Sequence, residues 1–177
     1  MWSGDFMAMI ESSIVCDSGP IIHLDELNCL RLLRDFKAAF LPDAVWKEVS
    51  FHRSSALEKS GVVFERCAGK IPSDEQLLTM CRIYSLDAGE TEALALMEKS
   101  PQSIFLTDDA SARLVGQQMG FRVHGTIGVL VRSLRREQMK PEQVVDLLSQ
   151  IPLKSSLYIK RSLLNEIVLR IREEYHI

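Results

Sequence analysis

Short apolar runs alternate along the chain with longer segments whose apolar residues follow a helical period. Apolar runs bounded by turn residues predict short buried strands, and they lie at 13–17, 39–41, 61–67, 103–107 and 121–123. Regular alternation of strands and helices is typical of an α/β fold with a mostly parallel sheet. We therefore predict a central sheet of four or five strands covered by helices on both faces.

The helical segments are marked by their apolar spacing and by capping residues at their ends. This pattern predicts helices at 21–36, from 43, from about 75, and at 86–99, 110–119, 127–136, 141–150 and 160–174. Within the first segment, Asn28 is expected to cap a second short helix. The last two helices are amphipathic, with apolar residues at helical spacing.

Length and composition narrow the class of protein. A chain of 177 residues with 46% hydrophobic residues predicts one compact domain. No apolar stretch approaches the roughly 18 residues of a membrane span, and no secretion signal is recognisable. The cysteines lack C-x-x-C spacing, which argues against zinc and favours reduced thiols in a cytoplasmic protein; they are Cys16, Cys29, Cys67 and Cys81.

Charge is distributed unevenly along the chain. The formal net charge of −3 argues mildly against nucleic-acid binding. Residues 1–121, however, contain 11 Lys and Arg against 18 Asp and Glu, whereas residues 122–177 contain 10 against 6. Two interpretations of this asymmetry remain open: an acidic site beside a basic surface, or a chance distribution of solvated charges.

Acidic residues follow two of the predicted strands. Asp17 ends the first strand, and Asp108 and Asp109 follow the run at 103–107. Glu48 and Glu90 lie on predicted helices that follow other strands. Because ligands bind at the carboxyl ends of parallel strands, we expect these carboxylates to converge in one cleft.

Clustered carboxylates repel one another unless a cation lies between them. Mg²⁺ favours sites made of a few carboxylates, waters and phosphate oxygens, and it supports phosphodiester hydrolysis. Each acid alone also has a structural interpretation: Asp17 as a turn residue, Glu48 as an exposed helix residue, Glu90 as a partner of the helix dipole, and Asp108 or Asp109 as an N-cap.

Four segments together resemble a known family. They are IVCDSGPIIHL, LPDAVWKEV, LDAGETEALAL and LTDDASARLVGQQMGFRVHGTIGVL, between Ile14 and Leu130. This succession resembles the PIN-domain family, specifically the branch related to VapC-type toxin ribonucleases. The resemblance implies a three-layer α/β/α fold with a helical C-terminal extension. It also implies Mg²⁺- or Mn²⁺-dependent cleavage of RNA and a toxin–antitoxin role.

The resemblance also assigns residues. It implies a catalytic set of Asp17, Glu48, Glu90 and Asp109 and a metal-binding set of Asp17, Glu90, Asp108 and Asp109. Ser18 and Thr107 match hydroxyl positions that support the carboxylates. Arg113 lies four residues after Asp109, a spacing that favours an ion pair on the helix. Glu90 departs from the many members that have Asp there, which shifts the carboxylate by about one carbon–carbon bond.

The remaining expectations concern boundaries and partners. The chain is predicted to comprise an extension at 1–12, a PIN-like nuclease domain at 13–150 and a helical extension at 151–177 packed on the same domain. A homodimer, an antitoxin partner and no membrane association are expected. An RNA-phosphate track or simply a solvated face is predicted for Arg132, Arg135, Arg136, Lys160 and Arg161. His23 and His124 are expected to be hydrogen-bonded structural histidines, and Trp46 and Tyr158 either stack on bases or pack against the protein.

Other functions compete with the nuclease hypothesis. A catalytically weak module that binds RNA or protein through the same fold is the main alternative. A phosphoacceptor receiver domain would have its paired acids near the first strand and a Lys after a late one. A haloacid-type phosphatase would have an Asp where Gly19 stands.

Overall fold

In a computed structural model, which describes residues 12–177, five parallel strands form one sheet in the order β3-β2-β1-β4-β5. The strands are β1 (Ile14–Cys16), β2 (Ala39–Pro42), β3 (Phe64–Cys67), β4 (Ile104–Leu106) and β5 (Arg122–His124). The predicted sheet is confirmed, with five strands rather than four. Of the predicted N-terminal extension, residues 1–11 lie outside the described residues.

Helices cover both faces of this sheet. They are α1 (Ser18–Glu26), α2 (Asp43–Lys59), α3 (Glu75–Ile83), α4 (Ala88–Lys99), α5 (Ala110–Gln118), α6 (Thr126–Arg135), α7 (Pro141–Lys154) and α8 (Arg161–Tyr175), with a 3-10 helix at Leu30–Asp35. None of the helices within residues 12–177 is both long enough and apolar enough to span a membrane.

The two helical layers bury alternate residues of the central strands. Ile14 and Cys16 of β1 belong to the core shared by α1, α2, α6, α7 and α8. Val15 and Phe105 belong instead to the core shared by α3, α4 and α5. Successive side chains of a strand point to opposite faces, so a strand buried on both faces reads as a continuous apolar run. The predicted three-layer α/β/α architecture is therefore confirmed.

The segment predicted as one helix at 21–36 is broken in two. Asn28 has a φ of 55°, the left-handed conformation that Asn tolerates at the C-terminal end of a helix. It therefore lies just beyond the end of α1, whereas the 3-10 helix that follows begins after Cys29. The expectation that Asn28 caps the second helix is wrong, because this turn closes the first one.

The C-terminal helices pack on the same core as the sheet. α7 continues to Lys154 through Pro152, so the predicted boundary between 150 and 151 falls inside a helix. Leu164 and Ile171 of α8 are buried in the core that also contains Leu148 of α7. The helical extension thus completes one layer of the fold.

Two of the predicted RNA-binding arginines instead bind an acid of the protein. The Arg132 side chain is only 7% exposed, lies over the ring of Phe36 and donates to Asp35. Nε of Arg136 donates to the same carboxylate at 3.0 Å. The phosphate-track prediction is therefore wrong for Arg132, because its guanidinium is buried in an intramolecular ion pair. For Arg135 and for the partly exposed Arg136 it remains a prediction.

Replacement of Asp35 tests this ion pair. We expect Asp35→Asn to lower the free energy of unfolding by about 3 kcal/mol, because it leaves the buried Arg132 charge without its partner. Urea denaturation measures this loss. The matched control is Glu166→Gln, which breaks an exposed pair with Arg170 and is expected to cost less than about 0.5 kcal/mol. Equal losses in the two variants would contradict the structural role of Asp35.

Candidate active site

Asp17 lies at the carboxyl end of β1, beside the end of β4. Its backbone N–H donates to the carbonyl of Leu106 at 2.9 Å, which joins the two strand ends. Its carboxylate is only 6% exposed and accepts two hydrogen bonds, from the Ser18 N–H at 2.7 Å and the Thr107 hydroxyl at 2.9 Å. Asp17 also caps α1. Its carboxylate is thus held rigidly at the edge of the sheet.

Thr107 links this acid to a second one. Its hydroxyl oxygen accepts the backbone N–H of Asp109 at 3.1 Å while the same hydroxyl donates to Asp17. Asp109 caps α5 through a bond from the Ala112 N–H to Oδ1 at 2.8 Å. The other carboxylate oxygen of Asp109 takes no part in this cap, and the side chain is solvent-exposed.

Glu90 belongs to a capping box at the start of α4. The Glu90 N–H donates to Oδ1 of Asp87, and the Asp87 N–H donates to Oε2 of Glu90, both at 2.9 Å. Asp87 is a residue of the cleft that the sequence analysis did not select. Its D-x-x-E spacing has a sufficient local explanation as a cap, but the same spacing places both carboxylates at one helix end.

These elements surround one cleft of about 430 Å³. The side chains that line it are mostly acidic and come from both halves of the chain: Asp17, Ser18, His23, Asp87, Glu90, Asp108, Asp109, Leu157 and Tyr158. The structure therefore brings four of the five predicted acids to a common cleft. It lies where the strand order reverses between β1 and β4, the place at which open α/β sheets bind ligands.

Glu48 is the predicted acid that does not line this cleft. It lies on α2, and its Oε2 is 3.8 Å from the position that a Cβ would take on Gly89 in the first turn of α4. Its charge nevertheless acts on Asp17, whose pKa it helps to raise. Glu48 thus lies next to the cleft and contributes to its negative potential.

The proximity of these carboxylates changes their acidity. Burial raises the pKa of Asp17 to about 6, assisted by the charges of Asp87 and Glu48 and opposed by the two hydrogen bonds to its carboxylate. Burial also raises the pKa of Glu90 to about 7, assisted by Asp87, Asp109 and Asp17 and opposed by its bond from the Asp87 N–H. The cleft therefore resists the full ionisation of its acids.

Asp108 differs from its neighbours because hydrogen bonds satisfy its carboxylate. Oδ1 accepts the Thr126 N–H at 2.8 Å, and Oδ2 accepts the Thr126 hydroxyl at 2.6 Å and Nδ1 of His23 at 2.8 Å. Burial alone would raise its pKa, but these bonds hold the pKa below the ordinary value. Asp108 joins α1, β4 and α6, and its oxygens have less capacity left for a metal ion than those of Asp109.

Arg113 and Gly125 complete the network around Asp108. Arg113 donates to the Thr107 carbonyl at 2.9 Å, and no ion pair between Arg113 and Asp109 is found within residues 12–177. A Cβ on Gly125 would lie 2.6 Å from the Arg113 guanidinium and 3.0 Å from the Thr107 carbonyl oxygen. Gly125 is thus required for the close approach of these groups, and Arg113 supports the end of β4.

The donor atoms of the cleft suit a hard divalent cation. Within the part of the chain that the structure describes, no group of three His, Cys, Asp or Glu side chains is arranged to hold a metal ion. Mg²⁺, however, needs only one or two protein carboxylates, since waters and substrate phosphates complete its coordination. Burial is the largest cause of the raised pKa values of Asp17 and Glu90, and the neighbouring carboxylates add to it; a bound cation would offset both effects. The residues present therefore fit a water-rich Mg²⁺ or Mn²⁺ site.

These features define a class of protein: a parallel α/β/α domain with an acidic cleft at its topological switch point. The chain belongs to the PIN-domain family, because a family model described as PIN domain matches residues 13–173. Members of this family are generally nucleases. No curated protein matches the chain, and no solved structure matches it.

The raised pKa values predict how stability depends on pH. A carboxyl group whose folded-state pKa is raised favours folding below its unfolded pKa, and this contribution is lost as pH rises through the folded value. With EDTA present, we therefore expect the Tm to fall between about pH 5 and pH 8 as Asp17 and Glu90 ionise. Millimolar Mg²⁺ should restore the Tm at pH 8, because the ion binds the ionised carboxylates.

Thermal unfolding followed by circular dichroism measures this effect. Glu90→Gln provides the internal control, since it removes one titrating group and should reduce the fall in Tm. A metal-free Tm that is constant or rises between pH 5 and pH 8 would contradict the linkage. So would a Tm at pH 8 that does not respond to Mg²⁺.

Proposed function

We propose that this protein is a ribonuclease that hydrolyses RNA phosphodiester bonds with the help of Mg²⁺ or Mn²⁺. The observation that carries the proposal is the cleft in which the buried Asp17 lies beside Glu90 and Asp109 and both Asp17 and Glu90 have raised pKa values. Family membership independently supports nuclease chemistry at the coarser level.

The residues of the chain have distinct roles in this proposal. Asp17 is the best-oriented ligand, because the Ser18 N–H and the Thr107 hydroxyl fix its two oxygens. Asp109 presents its carboxylate from the N-cap of α5 and Glu90 from the first turn of α4, and both line the same cleft as Asp17. Glu48 adds negative potential from α2. When bound, the divalent ion activates water and stabilises the charge on the leaving oxygen.

The proposal also includes a biological role, that of a toxin. The resemblance to VapC-type proteins supports a cytoplasmic toxin that forms a homodimer and is neutralised by an antitoxin protein. The described helices contain exposed apolar side chains, among them Leu163 and Leu169 on α8, on the surface of the C-terminal extension. This region is where we expect a second copy of the chain or an antitoxin segment to bind.

One observation favours the alternative of a catalytically weak binding module. Asp87 and Glu90 each use a carboxylate oxygen to cap α4, and the described residues contain no ready-made group of three metal ligands. In a binding module, the acids would shape the cleft without supporting hydrolysis. The ionised groups would then bind Mg²⁺ without cleavage of RNA.

Removal of one negative charge distinguishes these functions. We expect Asp17→Asn and Asp109→Asn to reduce Mg²⁺-dependent cleavage of RNA by at least roughly 100-fold, because the loss of a direct ligand exceeds the effect of losing an outer-shell group. Asn preserves the N-cap at both positions. A labelled RNA pool, separated on denaturing gels after incubation with a panel of metals, provides the readout.

The matched control is Asp74→Asn, because Asp74 caps α3 by accepting the Leu77 N–H at 2.8 Å, as Asp109 accepts the Ala112 N–H, and does not line the cleft. This variant should cleave RNA at the wild-type rate. Undiminished cleavage in Asp17→Asn or Asp109→Asn would contradict the proposed site.

For the toxin role, expression of the wild-type chain should arrest growth, and Asp17→Asn should relieve the arrest.

A further inference from the structure

The loop between α7 and α8 is fastened to α1 by a single carboxylate. The Ser155 hydroxyl and the Ser156 N–H donate to Oε2 of Glu26 at 2.8 and 2.7 Å. The Ser156 hydroxyl lies 3.1 Å from both oxygens of the same carboxylate. We call this set of contacts between Glu26, Ser155 and Ser156 the latch. It joins residues about 130 positions apart in the chain.

Glu26 is well suited to hold this loop as a charged acceptor. Burial would raise its pKa, but the bonds from Ser156 and Ser155 hold the pKa below its ordinary value. Arg53, at the kink in α2, lies 3.5 Å from Oε1 of Glu26 and 3.4 Å from Asp25. The latch is therefore anchored by α1 and α2, and the Glu26 carboxylate remains ionised at neutral pH.

The latch and the packing of Leu157 and Ile159 on the core together place Leu157 and Tyr158 at the acidic cleft. Both residues follow the latched serines directly, and both line the same cleft as Asp17 and Glu90. Tyr158 is 86% exposed, so packing against the protein does not account for its position. The sequence left open whether Tyr158 packs or stacks on bases, and its exposure excludes packing. An exposed aromatic ring thus stands at the rim of a cleft that otherwise presents carboxylates.

The chemistry around this ring matches an unpaired nucleotide. Aromatic side chains bind single-stranded nucleic acid by stacking on base faces, while cations contact the phosphates. Lys160 and Arg161 follow Tyr158, Lys154 precedes it, and all three side chains are exposed. A base is uncharged, so its approach to the acidic cleft meets no repulsion. Within a duplex, by contrast, both faces of a base are covered by neighbouring bases.

We propose that Tyr158 stacks on an unpaired base next to the phosphate in the cleft and so selects single-stranded RNA. Glu26 is a positioning residue, because it acts only through the loop that presents Tyr158. This inference deepens the proposed ribonuclease function and rests on it. It adds a contact on the substrate's base, whereas the carboxylates act at the phosphate.

Binding measured without metal tests the stacking contact separately from hydrolysis. Fluorescence anisotropy of a labelled single-stranded RNA in EDTA should show about tenfold weaker binding by Tyr158→Ala, the size expected for one lost stacked base. Tyr158→Phe and Tyr158→Trp should bind as the wild type does. The matched control is Leu153→Ala, since Leu153 is also 86% exposed but does not line the cleft. Duplex RNA should bind weakly and equally to all variants.

A series of RNAs with one abasic nucleotide locates the base. At one position, removal of the base should weaken binding by the wild type about as much as the Tyr158→Ala substitution does. Removal of the same base should not weaken binding by Tyr158→Ala any further. For the latch, Glu26→Gln should weaken binding of single-stranded RNA, and the double variant Glu26→Gln/Tyr158→Ala should be no weaker than Tyr158→Ala alone. Such non-additivity shows that both residues act through one contact.

The results separate this inference from the proposed function. If Tyr158→Ala binds single-stranded RNA as tightly as Leu153→Ala does, or if no abasic position distinguishes the wild type from Tyr158→Ala, the stacking contact is refuted. The ribonuclease proposal then still depends on the carboxylate variants. If Tyr158→Ala loses binding but the carboxylate variants cleave normally, stacking is supported and the proposed active site fails. Binding of a protein partner that depends on Tyr158, with unchanged RNA binding, would also overturn the inference.

Discussion

The hydroxyl group of Thr107 is the contact on which the geometry of the cleft depends. It donates to the buried carboxylate of Asp17 and accepts the backbone N–H of Asp109. One side chain thereby fixes the ends of β1 and β4 and the start of α5 relative to one another. Around this centre, the Thr107 carbonyl binds Arg113, and the Thr107 N–H donates to the carbonyl of His124 on β5. Three adjacent strands and one helix therefore meet at a single residue.

Hydrogen bonding divides the acids of this protein into two groups. Asp35, Glu26 and Asp108 accept several bonds from cations, hydroxyls or amides, and their pKa values are lowered. Asp17 is buried and Glu90 half-buried, and their hydrogen bonds do not compensate for the burial and the neighbouring charges, so their pKa values are raised. The first group holds helices and loops in place. The second group forms a local concentration of negative charge, which the net charge of the whole chain does not reveal.

The sequence predicted the layers of the fold well because its signals there are local. A strand buried on both faces, such as β1 or β4, is a continuous apolar run, and an acid that follows it stands at the sheet edge. Contacts between distant segments were not predictable in this way. Arg132 is buried because Asp35 lies 97 residues away in sequence but adjacent in space. Asp87 was overlooked because its capping box explains it locally. The role of Arg132 is thus decided by a partner that is distant in the sequence, and that of Asp87 by the cleft that it lines.

The latch has a consequence for how the sequence of this protein can change in evolution. The carboxylates belong to strand ends and helix caps, where a substitution disturbs both folding and charge. Tyr158 stands on a surface loop with its side chain exposed, and the loop is held by the Glu26 carboxylate and by the packing of Leu157 and Ile159 on the core. A substitution of the exposed Tyr158 side chain therefore leaves the hydrophobic core intact. In the proposed ribonuclease, substrate preference and chemistry therefore reside on separate parts of the chain, so that Tyr158 can change in evolution while the acidic cleft stays the same.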